Sequence, residues 1–188
     1  MNITIESLDA INWLKVCELS VSEEQKQIFT IPNVYWMGIS QYEEYTELFA
    51  IKRDDEYVGL IGAGLDEDGI SGYINPLMID EQFQRQGIAE KAMRLMMKDL
   101  IRKYHVPCIH INHRKENYTA ERLYKKLGFS IYSETDTEYC RSYTVDYGVQ
   151  IVSLREHPEW ADECSAAWLQ EGLPDLRRDR LLRKVWLP

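Results

Sequence analysis

Gln84-x-x-Gly87-x-Ala89 lies where the chain passes from a polar loop, Asp80 to Gln86, into a long amphipathic stretch. A helix N-terminus carries backbone N–H groups without intrahelical partners, and the helix dipole adds positive potential there, so such a junction suits a pyrophosphate. Gly87 removes a Cβ from the path of approach and Ala89 keeps it nearly clear, whereas a larger side chain would hold phosphates away. Read alone, Gly87 is equally a glycine that begins a helix, and its meaning comes from its surroundings. Further along, Asn117-x-x-Ala120-x-x-Leu123-Tyr124-x-x-Leu127-Gly128-Phe129 supplies an amide and a phenol. Asn117 and Tyr124 are seven residues apart, two helical turns, so they share a helical face and can reach successive parts of one extended ligand.

The elements that must position these groups follow from periodicity. Ile3 to Glu6 alternates like a strand, and Leu8 to Leu19 has apolar residues at mixed helical spacing. Ser22 stands three residues before Gln25, a capping-box spacing that predicts a short helix as far as Phe29. Asn33 to Tyr45 reads as a loop leading into a third short helical segment. Leu48 to Lys52 and Tyr57 to Ala63 are strand-like runs around the polar turn Arg53-Asp54-Asp55-Glu56, and Ile70 to Ile79 follows the turn Asp66-Glu67-Asp68-Gly69 as a third strand of a meander. Pro76 removes a ladder donor inside that strand, which predicts an edge or a bulge there.

From Gly87 to Tyr104 the apolar residues Ile88, Ala92, Met93, Met96 and Leu100 recur at helical intervals, giving an amphipathic helix. Pro107 to Ile111 reads as a strand, Glu116 to Leu127 as a helix ended by Gly128, and Phe129 to Tyr132 and Tyr139 to Val149 as two last strands. A meander that passes through a helix to a parallel neighbour makes a mixed α/β fold.

Hydrophobic residues make up 45% of the 188 and charged residues 28%, the balance of an ordinary globular protein. The length suits one well-cored domain with a small appendage. A formal net charge of −9 disfavours nucleic-acid phosphates and anionic lipid and favours cationic partners, although acidity also serves solubility. No apolar run approaches the roughly 18 residues of a membrane span, and Met1 to Glu6 lacks the basic-then-apolar order of a signal peptide, so a cytoplasmic location is expected. Cys17, Cys108, Cys140 and Cys164 are widely separated and expected to be reduced, and no metal-ligand spacing occurs.

The two motifs together resemble those of the GNAT acetyltransferases, over roughly Ile3 to Tyr147. The resemblance implies an acetyl-CoA-dependent N-acetyltransferase with a mostly antiparallel sheet, a splayed central strand and flanking helices. It assigns the pyrophosphate of acetyl-CoA to the backbone of Gln84, Arg85, Gln86, Gly87, Ile88 and Ala89. It assigns the pantetheine arm to the backbone of Leu77 and Ile79 on the splayed strand and to Asn117 before the later helix, and it counts Met78, Ala120 and Tyr124 among the residues that bind the cofactor. Tyr124 is then the general acid, because a phenol of pKa about 10 stays neutral at pH 7 and can protonate the departing thiolate. Homodimers are compatible with this reading.

The sequence departs from the resemblance where many relatives carry a carboxylate on the splayed strand: the matching position is Tyr73, and Asn75 is also uncharged. Asp66, Glu67, Asp68 and Glu47 are the nearby alternatives for a base. Leu19-Ser20-Val21-x-x-x-Gln25-x-x-Phe29 with Asn33, Phe49-Ala50-Ile51 and Leu77-Met78-Ile79-Asp80 look like the bacterial spermidine/spermine acetyltransferase branch. That likeness implies a polyamine or other small cationic amine as acceptor, with Glu23, Glu24, Glu43, Glu44 and Glu47 as contacts or simply as an acidic solvated face. The alternatives are a catalytically silent acetyl-CoA-binding regulatory module and a protein or peptide N-terminal acetyltransferase. Residues 149–188 read as a strand and helix outside the basic pattern, either a partial second acetyltransferase-like unit or a docking segment.

Overall fold

The computed structural model describes residues 1–42 and 46–148, so the extension expected over 149–188 and the acidic pair Glu43 and Glu44 lie outside the described residues. Met1–Asp146 form one compact unit. Its strands are β1 (Ile3–Ser7), β2 (Thr46–Arg53), β3 (Glu56–Leu65), β4 (Gly72–Ile79), β5 (Cys108–Arg114), β6 (Ser130–Glu134) and β7 (Glu138–Thr144). Its helices are α1 (Trp13–Glu18), α2 (Asn33–Ser40), α3 (Ile88–Tyr104) and α4 (Tyr118–Lys126). The seven strands form one sheet in the order β1-β2-β3-β4-β5-β7-β6, antiparallel throughout except for β4 against β5.

The N-terminal helices are shorter than periodicity predicts, because side chains compete with the backbone ladder. Asp9 accepts from the backbone N–H groups of Ile11 and Asn12, and Asn12 accepts from that of Asp9, so α1 begins only at Trp13. Ser22 and Gln25 form the expected capping box, yet only a single 3-10 turn, Gln25–Gln27, follows. α2 begins directly after Pro32, where a loop was expected, and buried Asn33 donates to the carbonyls of Val16 and Leu19. These two bonds stitch the start of α2 to the end of α1.

Two apolar layers sandwich the sheet. One joins Ile51, Ile61, Ile74 and Ile109 to Met93, Met96 and Leu100 of α3 and to Tyr124 of α4. The other packs Val16 of α1 against Leu48, Ala50 and Leu60, with Trp36 and Met37 of α2 beside it.

At the centre of the sheet the pairing fails in a defined way. β4 and β5 are in register only at Gly72 with Ile109 and Tyr73 with His110, after which the two strands part. On the other side of β4, Ile61 faces Leu77 and Ala63 faces Ile74, so Asn75 and Pro76 together oppose Gly62, which is a β-bulge. The Asn75-Pro76 peptide is cis. A Cβ on Gly62 would run into the Asn75 carbonyl oxygen and lie 2.7 Å from Pro76 Cδ, so only glycine fits opposite the bulge. The break expected at Pro76 is thus a bulge in a central strand, and it accompanies the splay that the family resemblance implies.

Candidate active site

The loop between β4 and α3 is braced before it reaches the helix. Asp80, nearly buried, accepts from the backbone N–H groups of Gln82 and Ser20. Gln84 and Gln25 exchange two side-chain hydrogen bonds of 2.8 and 3.1 Å, and Gln84 also donates to the Ile79 carbonyl at 2.9 Å. The side chain of Gln84 therefore fixes the loop. Gln86 is held from outside, accepting from Arg53 at 2.9 Å.

Beyond Gln84 the backbone opens to solvent. Arg85 and Gly87 both take left-handed conformations, with φ of 60° and 75°. Among the described residues none accepts a hydrogen bond from the backbone N–H of Arg85, Gln86 or Gly87. Nothing lies within 4 Å of where a Gly87 Cβ would stand. Alternating backbone twist with unpaired N–H groups makes a concave nest for an anion, and here it adjoins the positive end of a helix of 17 residues. Ile88 is buried and pins the helix start, while Ala89 is half-buried and small. This stretch therefore fits the pyrophosphate of acetyl-CoA.

A cavity of about 250 Å³ occupies the gap between the parted strands. Asn75 and Leu77 of β4, Asn112 and His113 of β5, Asn117 and Tyr124 of the α4 region and Glu138 of β7 contribute to its wall, and Ile28–Ile31 and Trp36 cover it from the N-terminal side. Met78 and Ile79 are buried on β4 beside Leu77. Asn117 caps α4 by accepting from the Ala120 N–H at 3.0 Å, which leaves its amide N–H groups for other partners. The structure thus brings Leu77, Asn117 and Tyr124 to one cavity, with the Gln84–Ala89 loop at the start of α3.

Tyr124 is 7% exposed, and burial pushes its phenol up to about 12, so it is a neutral donor across the physiological range. Among the described residues its hydroxyl has no hydrogen-bond partner. Behind it lies a fixed polar group: Arg141, almost wholly buried, donates through Nε to His113 Nε2 at 2.9 Å, while His113 Nδ1–H donates to the Arg114 carbonyl at 2.9 Å. Both imidazole nitrogens are therefore engaged, and burial holds the ring below its ordinary pKa and neutral. His113 sits 5.5 Å from Tyr124, ring centre to ring centre, and acts as packing for it.

The position left without a carboxylate, Tyr73, has its own partner. Its hydroxyl donates to Asn112 Oδ1 at 2.6 Å, and Asn112 Nδ2 donates to Glu138 at 3.1 Å. Burial, then the charge of Asp66, pushes the Tyr73 phenol upward, so it too stays protonated. Glu138 is the acidic group that sequence reasoning missed. It follows a polar turn and belongs to a strand expected to start at Tyr139, so nothing in the sequence set it apart.

Of the carboxylates considered from sequence, Glu47 pairs with Lys103 at 2.9 Å, and Glu23 pairs with Lys26. Asp68 is lowered to about 2 by hydrogen bonds from the Ile70 N–H and from Ser71 within its own turn. Asp66 lies 2.7 Å from His110 Nδ1, and His110 stacks on Tyr132. Asp66, Glu67, Tyr73, His110, Asn112 and Tyr132 help line a second, larger cavity of about 740 Å³, which shares Asn112 with the first. Cys17, Cys108 and Cys140 are free thiols, and the described residues contain no cluster of three metal-ligating side chains and no helix long and apolar enough to cross a membrane.

Comparison with known proteins agrees with this geometry. A spermine/spermidine N(1)-acetyltransferase of Bacillus subtilis (strain 168) is 25% identical over 142 residues, covering 72% of this chain and 93% of the relative. A Vibrio cholerae spermidine N-acetyltransferase, solved with CoA and spermine, superposes with a TM-score of 0.63 at 12% identity, over 76% of this chain and 95% of the other. A Campylobacter jejuni N-acetyltransferase, solved with acetyl coenzyme A, does so with a TM-score of 0.58 at 15% identity, over 77% of this chain and 100% of the other. Residues 9–129 match the acetyltransferase (GNAT) family, a span that contains the bulged strand, the anion nest and Tyr124. The chain belongs to the GNAT family and is an acetyl-CoA-dependent N-acetyltransferase.

Proposed function

We propose that this enzyme acetylates a primary amine of a polyamine or another small cationic amine, by direct attack of the amine on the thioester. The observation that carries this reading is the placing of Tyr124: a protonated, unpartnered phenol on the wall of a small cavity that also presents a carboxylate. In this reading the Arg85–Ala89 backbone receives the pyrophosphate, and the free edge of β4 from Leu77 to Ile79, with Asn117 and Ala120, guides the pantetheine arm. The amine nitrogen forms its bond to the acetyl carbon as the carbon–sulfur bond breaks, and Tyr124 delivers a proton to the thiolate.

The acceptor class is supported by the Bacillus subtilis relative and by the sign of the charge. The second cavity offers a long acceptor somewhere to go: a chain whose reacting amine sits beside Tyr124 can run past Asn112 towards Asp66 and Glu67, with Tyr73 and Tyr132 alongside. Aromatic faces and carboxylates both attract ammonium groups.

The test is CoA-thiol release from acetyl-CoA with spermidine, spermine, small monoamines and basic peptides as acceptors, and mass spectrometry of the products. Polyamine turnover well above that of the monoamines supports the reading. Preference for peptides moves the assignment to a peptide N-terminal acetyltransferase, and acetyl-CoA binding without turnover moves it to a regulatory module.

A further inference from the structure

An aliphatic ammonium has a pKa near 10, about that of a lysine side chain, so at neutral pH nearly every acceptor arrives protonated and without a nucleophilic lone pair. Some group must hold the cation and remove one proton before nitrogen can attack. β4 offers none, because Tyr73, Asn75 and Leu77 are its residues on the cavity side and all are uncharged. Glu47 and Asp66 face cationic or histidine partners, and Asp68 is tied into its own turn.

We propose that Glu138 is the site that binds the acceptor's ammonium and takes its proton, and that Asn112, set by Tyr73, holds the carboxylate in place for it. The inference rests on the amine-acetylating reading above. Glu138 is the acidic side chain lining the cavity that holds Tyr124. It forms no ion pair among the described residues, including with Arg114, its register partner on β5, which also lines the cavity. Its side-chain partner is the neutral amide of Asn112 at 3.1 Å, so its charge is oriented without being cancelled.

The amide faces the right way for a physical reason. Tyr73, as donor, takes Asn112 Oδ1 at 2.6 Å, and this leaves Nδ2 to donate to Glu138. Asn112 pairs with Cys140 in the sheet, and Glu138 lies two residues before Cys140 on β7, so the two side chains stand diagonally on the same face. Donor and acceptor of protons thus come from separate elements, Tyr124 from α4 and Glu138 from β7, and face a shared space.

Protons balance along this route. The ammonium gives one proton to Glu138, which passes it to solvent. The neutral nitrogen attacks, and its remaining excess proton leaves as the amide forms. Tyr124 supplies one proton to the thiolate, and the tyrosinate regains one from the nitrogen through water in the cavity. The net products are the amide, CoA thiol and one proton.

Glu138→Gln tests this directly, because glutamine can still accept from Asn112 but cannot take a proton. The expected result is a fall in kcat/KM for spermidine of about a hundredfold or more at pH 7. The deficit should shrink as pH approaches the ammonium pKa of about 10, where the amine arrives neutral, with acetyl-CoA affinity and Tm unchanged. Glu138→Asp should keep the wild-type shape of the pH profile. Wild-type activity in Glu138→Gln, or a loss of equal size at every pH, overturns the assignment. A wild-type enzyme inactive on every amine would instead remove the amine-acetylating reading, and this inference with it.

Discussion

The hydroxyl of Tyr73 and the amide oxygen of Asn112 meet at 2.6 Å just where β4 and β5 cease to pair. Tyr73 is the last residue of β4 in register with β5, and Asn112 stands two residues beyond its partner His110. The bond therefore spans the start of the gap, and Asn112 belongs to the walls of both cavities. Removing the hydroxyl with Tyr73→Phe frees the Asn112 amide at a cost of about 1 kcal/mol, the worth of an ordinary internal hydrogen bond. Steady-state kinetics should show a rise of roughly fivefold in KM for the amine with KM for acetyl-CoA unchanged.

Gly62 and Gly87 should respond to the same substitution for different reasons. Gly62→Ala drives a methyl into the Asn75-Pro76 bulge and should lower stability by about 1–3 kcal/mol in a denaturant titration. Gly87→Ala has open space around it and keeps the fold, with about 1–2 kcal/mol of backbone strain from its positive φ. Its methyl enters the approach path to the anion nest, so calorimetry should show acetyl-CoA affinity reduced about tenfold.

Much of this was legible in the sequence, and the reasons are local. Pro76 in an otherwise strand-like run signalled the break, and Gly87 before a periodic run signalled the start of α3, because both depend on residues adjacent in the chain. Glu138 and Asn112 were not legible. Asn112, His113 and Arg114 are polar, so β5 was expected to stop at Ile111, whereas pairing to β7 carries it on to Arg114. The partnership of residue 112 with residue 138 exists only through that register. The same extension carries His110 and His113, three residues apart, onto opposite faces of β5: one meets Asp66 and Tyr132, the other Arg141 and Tyr124.

Arg141→Leu should destabilise the protein by about 1–3 kcal/mol, since it leaves His113 Nε2 as a buried acceptor without its donor. Thermal unfolding should move down by roughly 3–8 °C. The double variant with His113→Phe, which removes donor and acceptor together, should lose less than the sum of the two single changes.

Acid should weaken the fold through His113. Its pKa is lowered in the native state by burial, so below the unfolded value of about 6.5 the unfolded chain binds more protons than the native one. Stability is fully present above that pH and falls as pH drops through the lowered native value. Melting curves between pH 7.5 and 5 should show this slope, and His113→Asn should flatten it.

The most direct test of the whole account compares wild type with Tyr124→Phe in CoA-thiol release with spermidine between pH 7 and 10. Because the phenol stays protonated up to about 12, wild type should show no alkaline decline in that range, and the variant should lose about a hundredfold in kcat with acetyl-CoA affinity retained. A variant as fast as wild type would contradict Tyr124 as the proton donor and with it the proposed chemistry of the cavity.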